Sequence, residues 1–162
     1  MNRGRRRIKG FSLIEVALAL GVAAFCMVAV MGLLPVGVQT NRLSTSQTAA
    51  SHIFTRVIAD LRATPITTPR GLEATSLEYH IVIPANPVST EKIQVLYFAE
   101  DGTFADSLQS NSRFRLTVTF LVNGTTPTRS ATRVYLKSTW PAAADPNLAA
   151  GLDETFAALS RH

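Results

Sequence analysis

Cysteine is nearly absent from this chain, since its 162 residues include only Cys26, which lies in the middle of an apolar segment. A single cysteine excludes a disulfide within the chain, so the fold must form without a covalent cross-link. Because free cysteine usually behaves as a small hydrophobe, we expect the Cys26 side chain to face lipid or a neighbouring helix.

Residues that carry catalysis or bind metals are also scarce. The histidines are His52, His80 and His162, and no pair of them has the spacing of a zinc site. No nucleophile elbow, P-loop or dinucleotide-binding glycine motif occurs in the sequence. We therefore expect neither an enzyme nor a bound cofactor, and the sequence indicates no catalytic residue.

The acidic loop at residues 100–106 is the one stretch with several oxygen ligands for a hard cation. Its candidate calcium ligands are Asp101 and Asp106, because carboxylates close together suit Ca²⁺. The loop falls short of the roughly six to eight oxygens that Ca²⁺ takes. A solvated turn is the preferred interpretation, and no metal is predicted.

Charged residues are missing from residues 16–38, a run of 23 residues. As a helix with about 1.5 Å of rise per residue, this run spans about 35 Å, enough to cross a hydrocarbon core of about 30 Å. It is too long for an ordinary secretory signal, whose apolar core has about 7 to 15 residues. The pattern predicts a transmembrane helix.

Acidic residues are missing from the first ten positions, which carry five positive charges: Arg3, Arg5, Arg6, Arg7 and Lys9. Such a cluster keeps its end of a membrane segment in the cytoplasm. This predicts a single-pass membrane protein with its N-terminus in the cytoplasm and its C-terminal domain outside. The formal charge of +5 equals these five leader charges, because the other 11 basic residues match 11 acidic ones. The excess is a topology signal, and no nucleic-acid partner is predicted.

One carboxylate, Glu15, lies five residues past Gly10, where the apolar segment begins. A charge in lipid costs a few kcal/mol unless it is paired, so Glu15 is a candidate functional residue. The basic leader, Gly10 and the segment Phe11-Ser12-Leu13-Ile14-Glu15-Val16 resemble the class III signal sequence of type IV pilins and type II secretion pseudopilins.

This resemblance implies a role for each residue of the motif. A prepilin peptidase would cleave after Gly10, Phe11 would become the methylated N-terminus, and Glu15 would pair with an N-terminal amine during filament assembly. The implied partners are the prepilin peptidase, other pilin or pseudopilin subunits, the assembly platform in the inner membrane, and membrane lipid. Because it lacks a disulfide, the chain is more similar to a minor pseudopilin than to a major pilin. The segment LLPVGVQTNR also resembles pilin-like cassette proteins of Verrucomicrobia.

Beyond Gln39 the helical pattern continues, with polar residues between apolar ones, and it ends at Thr64-Pro65. The period then changes to two, which predicts strands at residues 77–83, 93–99, 113–122 and 129–140. Asn123-Gly124 predicts a two-residue hairpin turn. In the tail, Asp145-Pro146 and the apolar spacing that follows predict a short C-terminal helix.

The predicted fold is α+β and, by the resemblance, pilin-like. One long N-terminal helix, transmembrane in its first half and amphipathic in its second, packs on a roughly four-stranded antiparallel sheet, and a short helix follows. The predicted organisation is a leader at 1–10, the transmembrane half at 11–38, the amphipathic half at 39–63, an exported β domain at 64–140 and a tail at 141–162.

Two functions remain open from the sequence. The first is a pilin-like subunit, more similar to a minor one, that is assembled by helix packing into a pilus-like or secretion pseudopilus filament. The alternative is a single-pass membrane-anchored binding domain that never polymerises. Glu15 distinguishes them, because a plain anchor has no use for a carboxylate near the start of its helix.

Overall fold

The structure is a computed structural model that describes residues 12–65, 72–124 and 131–160. Within these residues the chain forms one helix, α1 (Leu13–Ala63), and seven strands. The strands are β1 (Ala74–Thr75), β2 (Val82–Ile83), β3 (Lys92–Ala99), β4 (Phe104–Ala105), β5 (Ser112–Leu121), β6 (Thr132–Trp140) and β7 (Gly151–Leu159). The predicted α+β architecture, with a long apolar N-terminal helix and an antiparallel sheet, is confirmed.

The chain divides into two compact units after Arg42. The first unit contains residues 13–42 of α1, which we call the anchor segment. The second contains the rest of α1 and all the described strands, and we call it the head (residues 43–160). The helix ends at Ala63 because Pro65, two residues further on, has no N–H to continue the ladder. Its predicted end is confirmed, while the predicted start at Phe11 lies outside the described residues.

The main sheet of the head has five strands in the order β4-β3-β5-β6-β7, and each neighbouring pair is antiparallel. Strands β1 and β2 form a separate antiparallel pair. The inner face of the main sheet packs against α1. One row across it runs through Leu96, Leu116, Ser138 and Asp153, which are opposite each other in successive strands.

The core of the head lies between the inner face and the second half of α1. From the helix come Ala50, Ile53, Phe54, Val57 and Leu61. They meet apolar side chains of the central strands, among them Phe114, Leu116, Val118, Phe120, Val134 and Leu136. This packing explains the alternation of apolar and polar residues in β5, because every second side chain of the strand enters the core.

The predicted C-terminal helix is wrong, because residues 151–159 form strand β7. Their apolar residues fit a helical stripe, but the segment pairs along its whole length with β6, from Gly151 opposite Trp140 to Leu159 opposite Thr132. Pairing with an otherwise open strand overrides the local preference. Asp145 caps only a turn, in which its carboxylate accepts the N–H of Asn147 at 2.8 Å. The sheet consequently has five strands in place of the predicted four.

Two smaller predictions also need correction. The strand expected at residues 77–83 is reduced to β2, because His80 has a positive φ of 52° and the Ile81 N–H bonds the Ser76 hydroxyl at 3.1 Å. The two-residue hairpin at Asn123-Gly124 is also wrong, since residues 122–131 separate β5 from β6. The Asn123 side chain instead accepts the Val88 N–H at 2.7 Å.

Candidate functional site

Glu15 lies in the first turn of α1 and is exposed. Its N–H approaches the carbonyl oxygen of Ser12 at 3.0 Å and the Ser12 hydroxyl oxygen at 3.3 Å. Ser12 is thus the N-cap of the helix, and Glu15 occupies the third helical position, as in an S-x-x-E capping box. An acidic side chain there also interacts favourably with the helix dipole.

This arrangement gives Glu15 a local role that the sequence analysis missed. The sequence does contain the signal for it, because Ser12 and Glu15 are three residues apart, a spacing that often marks the start of a helix. A carboxylate at this position therefore has two separate interpretations, as part of a cap and as a charge that needs a partner. The predicted partner, the amine of Phe11, lies outside the described residues, as do Gly10 and the leader charges Arg3, Arg5, Arg6, Arg7 and Lys9.

The anchor segment is long and apolar enough to cross a membrane, and its most apolar window is not buried in the structure. Its large side chains are exposed, with Phe25 at 75%. Cys26 is exposed as a free thiol. The helix continues through Pro35. A shallow apolar groove of about 390 Å³, lined by residues on both sides of Pro35, among them Leu33, Leu34 and Gly37, lies along this part of the helix. The anchor segment is thus compatible with membrane anchoring.

The acidic loop forms a tight turn between β3 and β4. The Asp101 carboxylate accepts the N–H of Thr103 at 2.9 Å, and Gly102 adopts a φ of +84°. The hydrogen bond from the Thr103 backbone lowers the pKa of Asp101. Among residues 12–65, 72–124 and 131–160, no group of three or more His, Cys, Asp or Glu side chains could hold a metal ion. Asp101 and Asp106 therefore gain no third ligand from this part of the chain, and Asp101 is occupied by its own turn.

Asp60 is a structural site that the sequence analysis missed. It is a charged residue of α1, yet it is buried. Its carboxylate accepts the backbone N–H groups of Glu78 and Tyr79 at 3.1 and 3.2 Å. One turn earlier, Arg56 bonds the Glu78 carboxylate at 2.7 Å. Together these side chains fix the loop after β1 to the helix. The signal was the spacing, because Asp60 follows Val57 by three residues on the buried stripe.

The two histidines within the described residues are not close to forming a site. His52 is exposed on α1, and His80 is exposed in the loop before β2, where its ring lies 6.4 Å from that of Phe104. His162 lies outside the described residues. Histidine therefore contributes no candidate site in the part of the chain that the structure describes.

Comparison of the chain with models of protein families, with curated proteins and with solved structures gives no significant match. The arguments for function therefore depend on the residues of this chain. They define a protein with a long apolar helix, compatible with membrane anchoring, whose second half packs on an antiparallel sheet.

Proposed function

We propose that this chain is a pilin-like or pseudopilin subunit, made as a precursor and assembled by helix packing into a pilus-like or secretion pseudopilus filament. A prepilin peptidase cleaves it after Gly10 and the new N-terminus, Phe11, is methylated. The head is exported, and the anchor segment stays in the inner membrane until assembly. Its role is closer to that of a minor subunit.

The position of Glu15 carries this proposal. Glu15 is the single carboxylate at the start of an anchor segment that has no charge over residues 16–38. A charge placed there needs a partner, because an unpaired carboxylate in lipid costs a few kcal/mol. Cleavage after Gly10 creates such a partner, the amine of Phe11. Processing thus supplies the charge that Glu15 lacks, and a neighbouring subunit can provide it across a helix contact.

The exposed side chains of the anchor segment support the same proposal. Large apolar residues surround the helix from Leu13 to Val38, all of them exposed. A helix that is apolar all round needs an apolar environment on every side, either lipid or other helices. A filament built by helix packing supplies both, first the membrane before assembly and then the anchor segments of neighbouring subunits.

The test separates the charge of Glu15 from its place in the helix cap. Glu15→Gln keeps the spacing of a capping box, whose third position accepts Glu or Gln, but removes the charge. Glu15→Val removes both, and Glu15→Asp keeps the charge. The full precursor would be co-expressed with a prepilin peptidase. We would then measure the mature N-terminus by mass spectrometry and subunit contacts by cross-linking in membranes.

We expect all three variants to be inserted, cleaved before Phe11 and folded. Cross-links between subunits should be lost with Glu15→Val and with Glu15→Gln, and partly kept with Glu15→Asp. If Glu15→Gln cross-links as well as the wild type, Glu15 serves the cap alone. The non-polymerising binding domain then becomes the better function. A mature chain that begins at another residue would also contradict the proposal.

A further inference from the structure

Strand β7 is a long edge strand of the head. It has nine residues, and among the described strands only β6 pairs with it. Natural proteins usually protect such an edge with lysine, proline or a very short strand. β7 contains neither lysine nor proline, and its charged side chains, which can also protect an edge, are limited to Asp153 and Glu154. Its outer backbone groups are thus available to a further strand.

The opposite edge of the same sheet is only partly covered. The two residues of β4 pair with Tyr97 and Phe98 of β3, so residues 92–96 have no described strand on that side. The nearby backbone of Val82 bonds the Gln94 side chain in both directions, at 2.7 and 2.9 Å. A side chain makes these contacts, so they do not use the backbone N–H and C=O groups of β3. The segment that contains Val82 and Glu73 nevertheless lies beside this edge, where Glu73 pairs with Lys92 of β3.

Exposed apolar side chains on the outer face of the sheet are concentrated at these two edges. Ile93 and Val95 of β3 are 62% and 39% exposed, and Leu152 and Phe156 of β7 are 48% and 69% exposed. The central strands carry mainly polar side chains on this face, among them Thr117, Thr119, Arg133 and Lys137, while Tyr135 packs against Phe156 with its ring centroid 4.8 Å away. A partner covering the face would need an apolar centre. A partner at the edges would need exposed apolar side chains there, and these are the residues that β3 and β7 carry.

The direction of the strands identifies a partner for both edges. Neighbouring strands are antiparallel in the order β3-β5-β6-β7, so β3 and β7 run in opposite directions. Two heads in the same orientation, side by side, bring β7 of one against β3 of the next as an antiparallel pair. Antiparallel pairing of β7 with β7 would require one head to be reversed, and parallel pairing would place the inner faces of the two heads on opposite sides of the joined sheet. Subunits anchored in one membrane share an orientation, a step that rests on the proposed function.

We therefore propose that a second copy of this chain docks edge to edge, with its β3 adding to β7 and extending the sheet. Side chains of a strand alternate between faces, so the register must place Phe156 opposite Ile93 or Val95. Either register brings exposed apolar side chains of the two edges together. The contact joins different surfaces of the two copies, so it can repeat along a filament.

A groove beside β7 has room for the inner side chains of the added strand. It lies between α1 and β7 and is lined by Thr55, Ile58 and Thr155 among others, with a volume of about 300 Å³. Asp153, which also points to the inner side, accepts the Ser51 hydroxyl at 3.4 Å. The inner side of this edge is thus an open groove, which an adding strand can cover.

Disulfide cross-linking in the full-length chain tests the contact. Cys26→Ala removes the native thiol, and cysteines replace the exposed residues in the pairs Ile93→Cys with Phe156→Cys and Val95→Cys with Phe156→Cys. The matched control pairs Phe156→Cys with Thr117→Cys, on the central strand β5. Assembly is followed separately, as sedimentation of filaments sheared from the membrane.

We expect one of the two edge pairs to give a ladder of dimers and higher oligomers on oxidation, and the control pair to give none. Dimers formed by Phe156→Cys alone would overturn the proposal in favour of a reversed β7 pair. The edge contact is also overturned if neither edge pair cross-links. If filaments still form in that case, the proposed function stands and only the edge contact is wrong. A ladder that forms with Glu15 intact, but without any sedimenting filaments, would support the edge contact and contradict the proposed function.

Discussion

The two halves of α1 differ in their apolar content and in their surroundings. In the anchor segment Phe25 is 75% exposed, whereas Phe54 in the head is 5% exposed and packs into the core. Apolar residues in the head follow one stripe because a sheet covers that stripe alone. In the anchor segment they surround the helix. The difference teaches that the pattern of apolar residues around a helix indicates how many of its sides will be covered.

The two phenylalanines offer the largest test of this comparison. Phe54→Ala should reduce the free energy of unfolding of the head by about 3 to 5 kcal/mol, because it leaves a cavity in the core. Phe25→Ala removes the same atoms from an exposed position and should leave the stability of the head unchanged. Thermal melting of the detergent-solubilised protein, followed by circular dichroism, would measure both. A loss under about 1 kcal/mol for Phe54→Ala would contradict the described packing.

Asp60 tests whether a polar residue on the buried stripe contributes to the joint between helix and loop. Asp60→Asn should cost about 1.5 to 3 kcal/mol, because it replaces a carboxylate that accepts two backbone N–H groups by an amide that can accept through only one atom. Asp106→Asn is the matched control at an exposed position and should be neutral. Denaturant unfolding would compare them. Equal midpoints for the two variants would mean that Asp60 contributes nothing to the joint.

Glycine has opposite roles in the two regions. Gly151 faces the Trp140 ring so closely that an added Cβ would lie 2.1 Å from Cε2, while Gly21 in the anchor segment has open space around it. Gly151→Ala should therefore destabilise the head by about 1 to 3 kcal/mol. Gly21→Ala should leave the melting temperature of the head unchanged. If Gly151→Ala were tolerated equally well, the ring would not lie over this residue.

The smallest expected effect is a change in the stability of the head at alkaline pH. Burial raises the pKa of Tyr79 to about 12 from the ordinary value of 10.0. A raised pKa means that the folded state favours the neutral phenol. This contribution is complete below pH 10 and is lost as the pH rises toward 12. Tyr79→Phe removes the ionisation, so its stability should fall less over this range. Melting temperatures at pH 9, 10 and 11 would show the difference, and parallel curves would contradict it.

The sequence predicted the parts of the fold in which periodicity and tertiary contacts agree. Helix α1 and strands β3, β5 and β6 lie close to their predicted positions, because each presents one continuous apolar face to the same core. Strand β7 was missed because its residues fit a helical stripe equally well. Pairing with the open edge of β6 made this segment a strand. The local sequence of the segment does not show that such an edge is present.

The candidate site was predictable to a different extent. Glu15 was identified from its charge within an apolar segment, while its relation to Ser12 follows from a three-residue spacing that the sequence also contains. The burial of Asp60 could have been expected from its position on the helix stripe. Its two backbone donors could not, because they come from a loop 18 and 19 residues away whose path depends on the packed head.

Trp140 provides a way to follow the contact between β6 and β7 by fluorescence. It is the only tryptophan in the chain, is 5% exposed, and lies where β6 meets β7, with its ring 5.9 Å from that of Phe114. The tryptophan fluorescence of the protein therefore comes from one position, where β6 meets β7. Emission shifted to the red would report that β7 has separated from β6 and admitted water. The purified protein thus contains a label-free optical probe at the base of its outermost strand.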